Sequence, residues 1–118
     1  MLRLTFAASL LAALVFPFSA LASAPPVGPL PKGPVTSIST SKGSLVSVAL
    51  QSRAGKSWRL ARAVNVHVLV QVSEANVGNA VVIVYRAVGT GNVSVRYGLT
   101  RGEQSKAYAS ATFNVRVR

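Results

Sequence analysis

The chain has 118 residues, 13 Lys and Arg against 2 Asp and Glu, and a formal net charge of +11, with half of its residues hydrophobic. That length limits it to one domain, and so apolar a composition excludes a disordered basic tail. Cys and Asp are absent, the side-chain carboxylates are Glu74 and Glu103, and His67 is the single imidazole, so disulfides are excluded and metal clusters lack their ligands. The one conceivable triad, a Ser with His67 and Glu74, puts His67 in mid-strand, and nothing in the sequence brings the one acid pair, Glu74 and Glu103, together. No enzyme activity, no metal and no cofactor is predicted.

Residues 1–24 read as a secretory signal. Arg3 supplies the positive start, residues 10–16 the apolar stretch ended by Pro17, and Ala20-Leu21-Ala22 a small-x-small cleavage site, with Ala22-Ser23-Ala24 a second. A bilayer span needs about 20 apolar residues, and Pro17 with Ser19 breaks the run short of that. The expectation is a secreted or periplasmic chain of about 94 residues, net charge about +10, with no transmembrane segment. With no Cys, such a domain must hold together by burial alone.

Residues 25–34 hold Pro25, Pro26, Pro29, Pro31 and Pro34 with Gly28 and Gly33, a composition that favours an extended spacer. From Val35 to the C-terminus there is no proline, and apolar residues recur with period two. A first strand is predicted over 35–40, followed by a turn at Ser41-Lys42-Gly43. A second, over 45–50, places Val46, Val48 and Leu50 on one face, and a polar loop over 51–56 leads to a short strand over 58–60 with Trp58 inward. Residues 64–72 alternate with Val64, Val66, Val68, Val70 and Val72 on one face. A loop over 74–79 follows, with Gly78 able to take a positive φ. Residues 80–86 are nearly continuously apolar, as a strand covered on both faces would be. Gly89-Thr90-Gly91 leads to a strand through Val93, Val95 and Tyr97, a polar loop spans 98–106, and Ala111, Phe113, Val115 and Val117 line the last strand. Seven short strands without helical periodicity predict an all-β, antiparallel, immunoglobulin-like β-sandwich over 35–118, with a small closed barrel as the competitor.

The positive charge attracts anionic partners by long-range steering. Export, the lack of a basic run and the scarcity of aromatics argue against nucleic acid. The cations come singly, yet Arg53 and Lys56 share one predicted loop, and Arg101 and Lys106 another. Asn92-Val93-Ser94 matches a glycosylation sequon but falls within a predicted strand and is read as chance. Tyr97 and Tyr108 fit either packing or partner contact.

The loop and strand order resembles that of the chagasin-like inhibitors of papain-family cysteine proteases, over most of the chain from Val35 onward. Their first functional loop reads Asn-Pro-Thr-Thr-Gly, followed closely by an aromatic; here Gln51-Ser52-Arg53-Ala54-Gly55-Lys56-Ser57-Trp58 keeps Gly55 and Trp58 in type and spacing. Val77-Gly78-Asn79 occupies the place of the Gly-rich second loop. The third loop, Arg-Pro-Trp in the family, reads Gly98-Leu99-Thr100-Arg101-Gly102, without the Pro or the Trp.

The resemblance implies an immunoglobulin-like fold and a protein partner, a papain-like cysteine protease whose active-site cleft receives three loops. The implied contacts are Arg53, Ala54, Gly55 and Lys56 over the nucleophile, Asn76, Val77 and Gly78 beside it, and Leu99, Thr100 and Arg101, with Leu99 and Arg101 replacing the missing aromatic clamp. The alternative is a periplasmic or surface module that binds an envelope or assembly partner, as in pilus and secretin systems, without protease inhibition. Contact with an anionic envelope surface is a further expectation.

Overall fold

Alternating Val with small polar residues gives each strand one apolar face, and two sheets built this way leave water by closing those faces on each other. The computed structural model describes residues 25–118; the predicted signal lies outside them. One sheet has the order β1 (Val35–Thr40), β7 (Ala109–Val117), β6 (Gly91–Thr100), β3 (Ser57–Leu60). The other has the order β2 (Leu45–Gln51), β5 (Ala80–Ala87), β4 (Leu69–Val77). This is the expected seven-stranded immunoglobulin-like sandwich. One pairing departs from a purely antiparallel scheme, because β1 runs parallel to β7, with Val35 opposite Thr112 and Thr40 opposite Val117. A strand that crosses to the other sheet at its end is free of hairpin geometry and can pair in either sense.

The core comes from the inward faces: Val46, Val48 and Leu50 of β2, Ile83, Tyr85 and Ala87 of β5, Val93, Val95 and Tyr97 of β6, and Ala111, Phe113, Val115 and Val117 of β7. Tyr97 meets Phe113 edge to face at 6.2 Å, and its hydroxyl shares a 2.5 Å hydrogen bond with that of Tyr85. Tyr97 is therefore a packing residue. Burial pushes both hydroxyls above the usual phenol range. For Tyr97 the bond to Tyr85 adds to the rise, and for Tyr85 the bond to Tyr97 partly offsets it.

The fourth strand differs from the period-two expectation. Asn65 accepts the backbone N–H of His67 on its side chain at 2.9 Å and those of Val68 and Leu69 on its carbonyl at 3.0 Å, so residues 65–68 turn instead of extending. The strand begins at Leu69, which is buried, and a register shift between Gln71 and Ser73 resets the alternation. Val66, Val70 and Val72, expected to share a face with Val68, are exposed as a result, while Val68 is buried. The strand also runs on through Val77, so the predicted loop over 74–79 contracts to Gly78-Asn79. The central strand β5 has one face on the core, and Val82 and Val84 on its other face are only half-buried.

The Pro-rich segment expected as a spacer is laid across the outer side of β6 and β7. Prolines offer carbonyls but no N–H groups, and the domain supplies the donors. The Arg59 guanidinium donates to Pro25 O, Ser110 Oγ to Pro31 O at 2.6 Å, and Thr112 N to Pro34 O at 3.0 Å, while Gly28 N donates to Ser105 O at 2.7 Å. Val27, within this strap, is buried against Gly98 of β6. Gly98 makes the approach possible, since a Cβ there would come within 2.7 Å of Val27 Cγ1 and 3.0 Å of Leu30 Cδ2.

Candidate functional site

Three connections reach the same end of the sandwich because β2 ends, β5 begins and β3 begins there, with Gln51 opposite Ala80 and Ser57 opposite Thr100. In the first loop, residues 52–56, Lys56 N donates to Arg53 O at 3.2 Å across a turn centred on Ala54 and Gly55. Gly55 has φ +74°, which L residues adopt only under strain, and nothing lies within 4 Å of where its Cβ would stand. Glycine is required here by conformation, and the consequence is bare backbone at the tip. Gly55→Ala is expected to cost about 1–2 kcal/mol in local strain with little effect on the core. Thermal unfolding would read the cost, and an unchanged Tm would mean that the turn relaxes freely.

The second connection is a two-residue hairpin in which Val77 faces Ala80 across Gly78-Asn79, and Gly78 has φ +60°. Ser52 N donates to Asn79 O at 2.8 Å, tying this hairpin to the first loop. Asn76 and Val77 are exposed strand residues at its base, Val77 being 58% exposed.

The third loop, residues 101–108, is held from inside. Thr100 Oγ1 donates to Gly102 O at 2.7 Å, Gln104 N to Arg101 O at 3.1 Å, and Arg59 Nη1 to Gln104 O at 2.7 Å. At the loop's end the Tyr108 ring gathers three cations: Lys106 Nζ at 4.9 Å from the centroid, Lys56 Nζ at 5.2 Å and Arg101 Cζ at 5.4 Å. Such contacts contribute about 0.5–1 kcal/mol each at exposed sites. Lys56 belongs to the first loop, so this ring joins the first and third loops as the Ser52–Asn79 bond joins the first and second.

Between the first loop with the start of β3 and strand β4 lies a groove of about 220 Å³ whose lining includes Lys56, Trp58, Glu74 and Asn76. Trp58 is half-buried, and its Nε1 donates to Gln51 O at 2.8 Å. That bond fixes the indole as a support beneath the first loop.

Of the residues singled out from sequence, Arg53, Ala54, Gly55, Lys56, Asn76, Val77, Gly78 and Arg101 all lie at this end. Leu99 and Thr100 do not offer contact surface, a correction to the expectation. Leu99 is 2% exposed and pairs with Trp58, and Thr100 is 0% exposed, its hydroxyl already engaged with the loop backbone. Strand β6 continues three residues beyond its expected end at Tyr97, which draws Leu99 and Thr100 into the sheet. Tyr108, 39% exposed, stands with Arg101 where Leu99 was expected. The sequence left Tyr108 open between packing and partner contact, and the signal that favours contact is an aromatic two residues after Lys106 in an otherwise polar loop. Lys106 and Asn79 were also outside the predicted set.

A larger groove, of about 410 Å³, lies far from these loops on the outer face of the four-stranded sheet. Ser37, Ser39, Asn92 and Arg116 help line it, and Ser94 Oγ donates to Asn114 Oδ1 within it at 2.6 Å. Among the described residues, no three or more His, Cys, Asp or Glu group where a metal could be held, and no helix is long and apolar enough to cross a membrane.

The class defined by these features is an immunoglobulin-like β-sandwich with a three-loop end. No family model and no curated protein matches the sequence. Among solved structures, the cysteine protease inhibitor EhICP2 from Entamoeba histolytica is similar, with a TM-score of 0.58 at 14% identity, over 75% of this chain and 99% of that one. PbICP-C, solved in complex with falcipain-2, is similar with a TM-score of 0.56 at 11% identity, over 80% of this chain and 95% of that one. At these identities the likeness is one of fold alone, an immunoglobulin-like β-sandwich.

Proposed function

We propose that this chain is an exported binding protein that inhibits a papain-like cysteine protease by placing the three-loop end in its active-site cleft. The observation that carries the reading is the union of the three loops, through Ser52 with Asn79 and through Lys56 with Tyr108, on a sandwich similar to that of cysteine protease inhibitors. The complex of PbICP-C with falcipain-2 supports a protease as the class of partner. Bare backbone at Gly55 suits close approach to a nucleophile, because no side chain intervenes and no scissile bond need be presented in an extended strand. Arg53 and Lys56 flank it, Asn76, Val77 and Gly78 border it on one side, and Arg101 with Tyr108 borders it on the other.

The test is a titration against several papain-like enzymes with a fluorogenic peptide substrate. Inhibition by micromolar protein or less is expected, weakened at least tenfold by replacing Gly55 with Val. No inhibition of any enzyme at micromolar protein overturns the reading. Export is tested by sequencing the N-terminus of the secreted protein, with a start at Ser23 or Pro25 expected.

A second reading, a module docked on an envelope or assembly partner, is favoured by one observation, the groove of mixed polar and apolar lining across β1, β7 and β6. Co-purification with envelope complexes, without protease inhibition, would support it.

A further inference from the structure

We propose that the loop end is built to dock on an acidic protein surface, with the Tyr108 ring and the cations Lys56, Arg101 and Lys106 as the recognising group. The proposal rests on the inhibitor reading above and deepens it by naming the chemistry of the partner. Like charges on neighbouring loops ordinarily splay apart into water. Here three from two loops lie over one ring, 4.9 to 5.4 Å from its centroid, in the same loops that carry Arg53 and the Gly55 tip. The ring's negative face holds them together without consuming their charge. A cluster arranged this way still attracts carboxylates, and it already has the geometry that a partner would otherwise have to impose.

The backbone beneath is fixed too. Thr100 and Arg59 bind the carbonyls of Gly102 and Gln104, and Gly28 binds that of Ser105, so the third loop is held before any partner arrives.

A protein fits this end better than a lipid surface or a polyanion. Glu74 and Glu103, the two acidic residues of the chain, both belong to the elements of this end, Glu74 lining the groove beside Lys56 and Glu103 in the third loop. A uniformly anionic surface would repel them. A protein surface of mixed charge can set its carboxylates against the cations and a cation against Glu74, while Val77 and Trp58 supply the apolar part of the contact. Charge arranged around a contact acts first on the rate of encounter.

The experiment measures association and dissociation rates of the full secreted chain by stopped flow. The probes are two papain-like proteases, one of low and one of high isoelectric point, a poly-glutamate peptide, phosphatidylserine vesicles and heparin. The expected result is faster association with the acidic protease, falling about tenfold or more between low and physiological salt. The Lys56→Glu, Arg101→Glu, Lys106→Glu triple variant should slow association by a similar factor and change dissociation less. These side chains are at the surface, and an unchanged far-UV spectrum and Tm would show that the variant is folded.

Inhibition of both proteases alike, insensitive to salt and to the triple variant, overturns the inference and leaves the inhibitor reading standing. No inhibition, with salt-sensitive poly-glutamate binding that perturbs the Tyr108 ring resonances, overturns the inhibitor reading and supports the acidic docking surface. Tighter binding to vesicles or heparin than to either acidic probe overturns the inference in favour of a polyanion.

Discussion

Removing residues 25–33 is expected to lower stability by about 2–3 kcal/mol and to loosen the third loop, although the segment has the composition of a free spacer. Burying a Val side chain is worth about 1.5–2 kcal/mol, Val27 is 6% exposed, and Gly98 and Ser110 beneath the strap are buried with it. For a domain of this size each kcal/mol moves Tm by about 4–8 °C, so calorimetry should show a drop of about 10–20 °C. The loop follows because Gly28 holds Ser105 O and Arg59 bridges Gln104 O to Pro25 O.

Amide exchange across 101–108 should therefore accelerate in the truncated chain while the amides of β2 and β5 stay protected. Gly98→Leu tests the same contact without shortening the chain, since its side chain must occupy the volume of Val27 and Leu30. If both variants leave Tm and the exchange of the third loop unchanged, the strap is not what holds it. An effect confined to Tm would mean that the bonds from Thr100, Arg59 and Gln104 suffice to shape the loop.

The second large effect concerns the two buried hydroxyls. Tyr85→Phe or Tyr97→Phe leaves the remaining hydroxyl in the core without its 2.5 Å partner, at a cost of about 1–3 kcal/mol for an unsatisfied buried group. Replacing both removes the donor and the acceptor together and should cost less than the sum of the single changes. Denaturant melts of the four proteins measure the coupling, and additive costs would show that the bond contributes nothing.

The same pair predicts the alkaline limit. Both phenols titrate above 10 in the folded chain, whereas in the unfolded chain they ionise near 10. Stability is therefore unaffected by these groups below about pH 10 and falls as pH rises beyond it, because only the unfolded state releases the protons. The double Phe variant should unfold at higher pH than the parent, and an identical alkaline midpoint would rule the pair out as its cause.

Most of the strands were legible from their apolar patterning. β2, β5 and β7 sit within a residue or two of their predicted bounds, because each has one face that only the core can accept. β4 was misread because Val66, Val68, Val70 and Val72 repeat the pattern without regard to Asn65, whose side chain closes a turn that a count of apolar positions does not register. The loop residues were found in part. Gly55 and Gly78 announce turns through their freedom at positive φ, while Leu99 and Thr100 were drawn into β6 by pairing with Trp58 and Ser57, partners 41 and 43 residues earlier in the chain.

By itself the sequence determined the chemistry available to this protein. With no Cys or Asp and a single His in the sequence, binding is the mode of action its residue types lead one to expect. The net charge of +11 was equally plain, yet its disposition was not. Only the tertiary structure brought Lys56, Arg101 and Lys106 onto Tyr108, and only it laid the Pro-rich segment over Gly98. Both depend on which strands become neighbours, and strand pairing is settled by the whole core at once, beyond the reach of any local pattern.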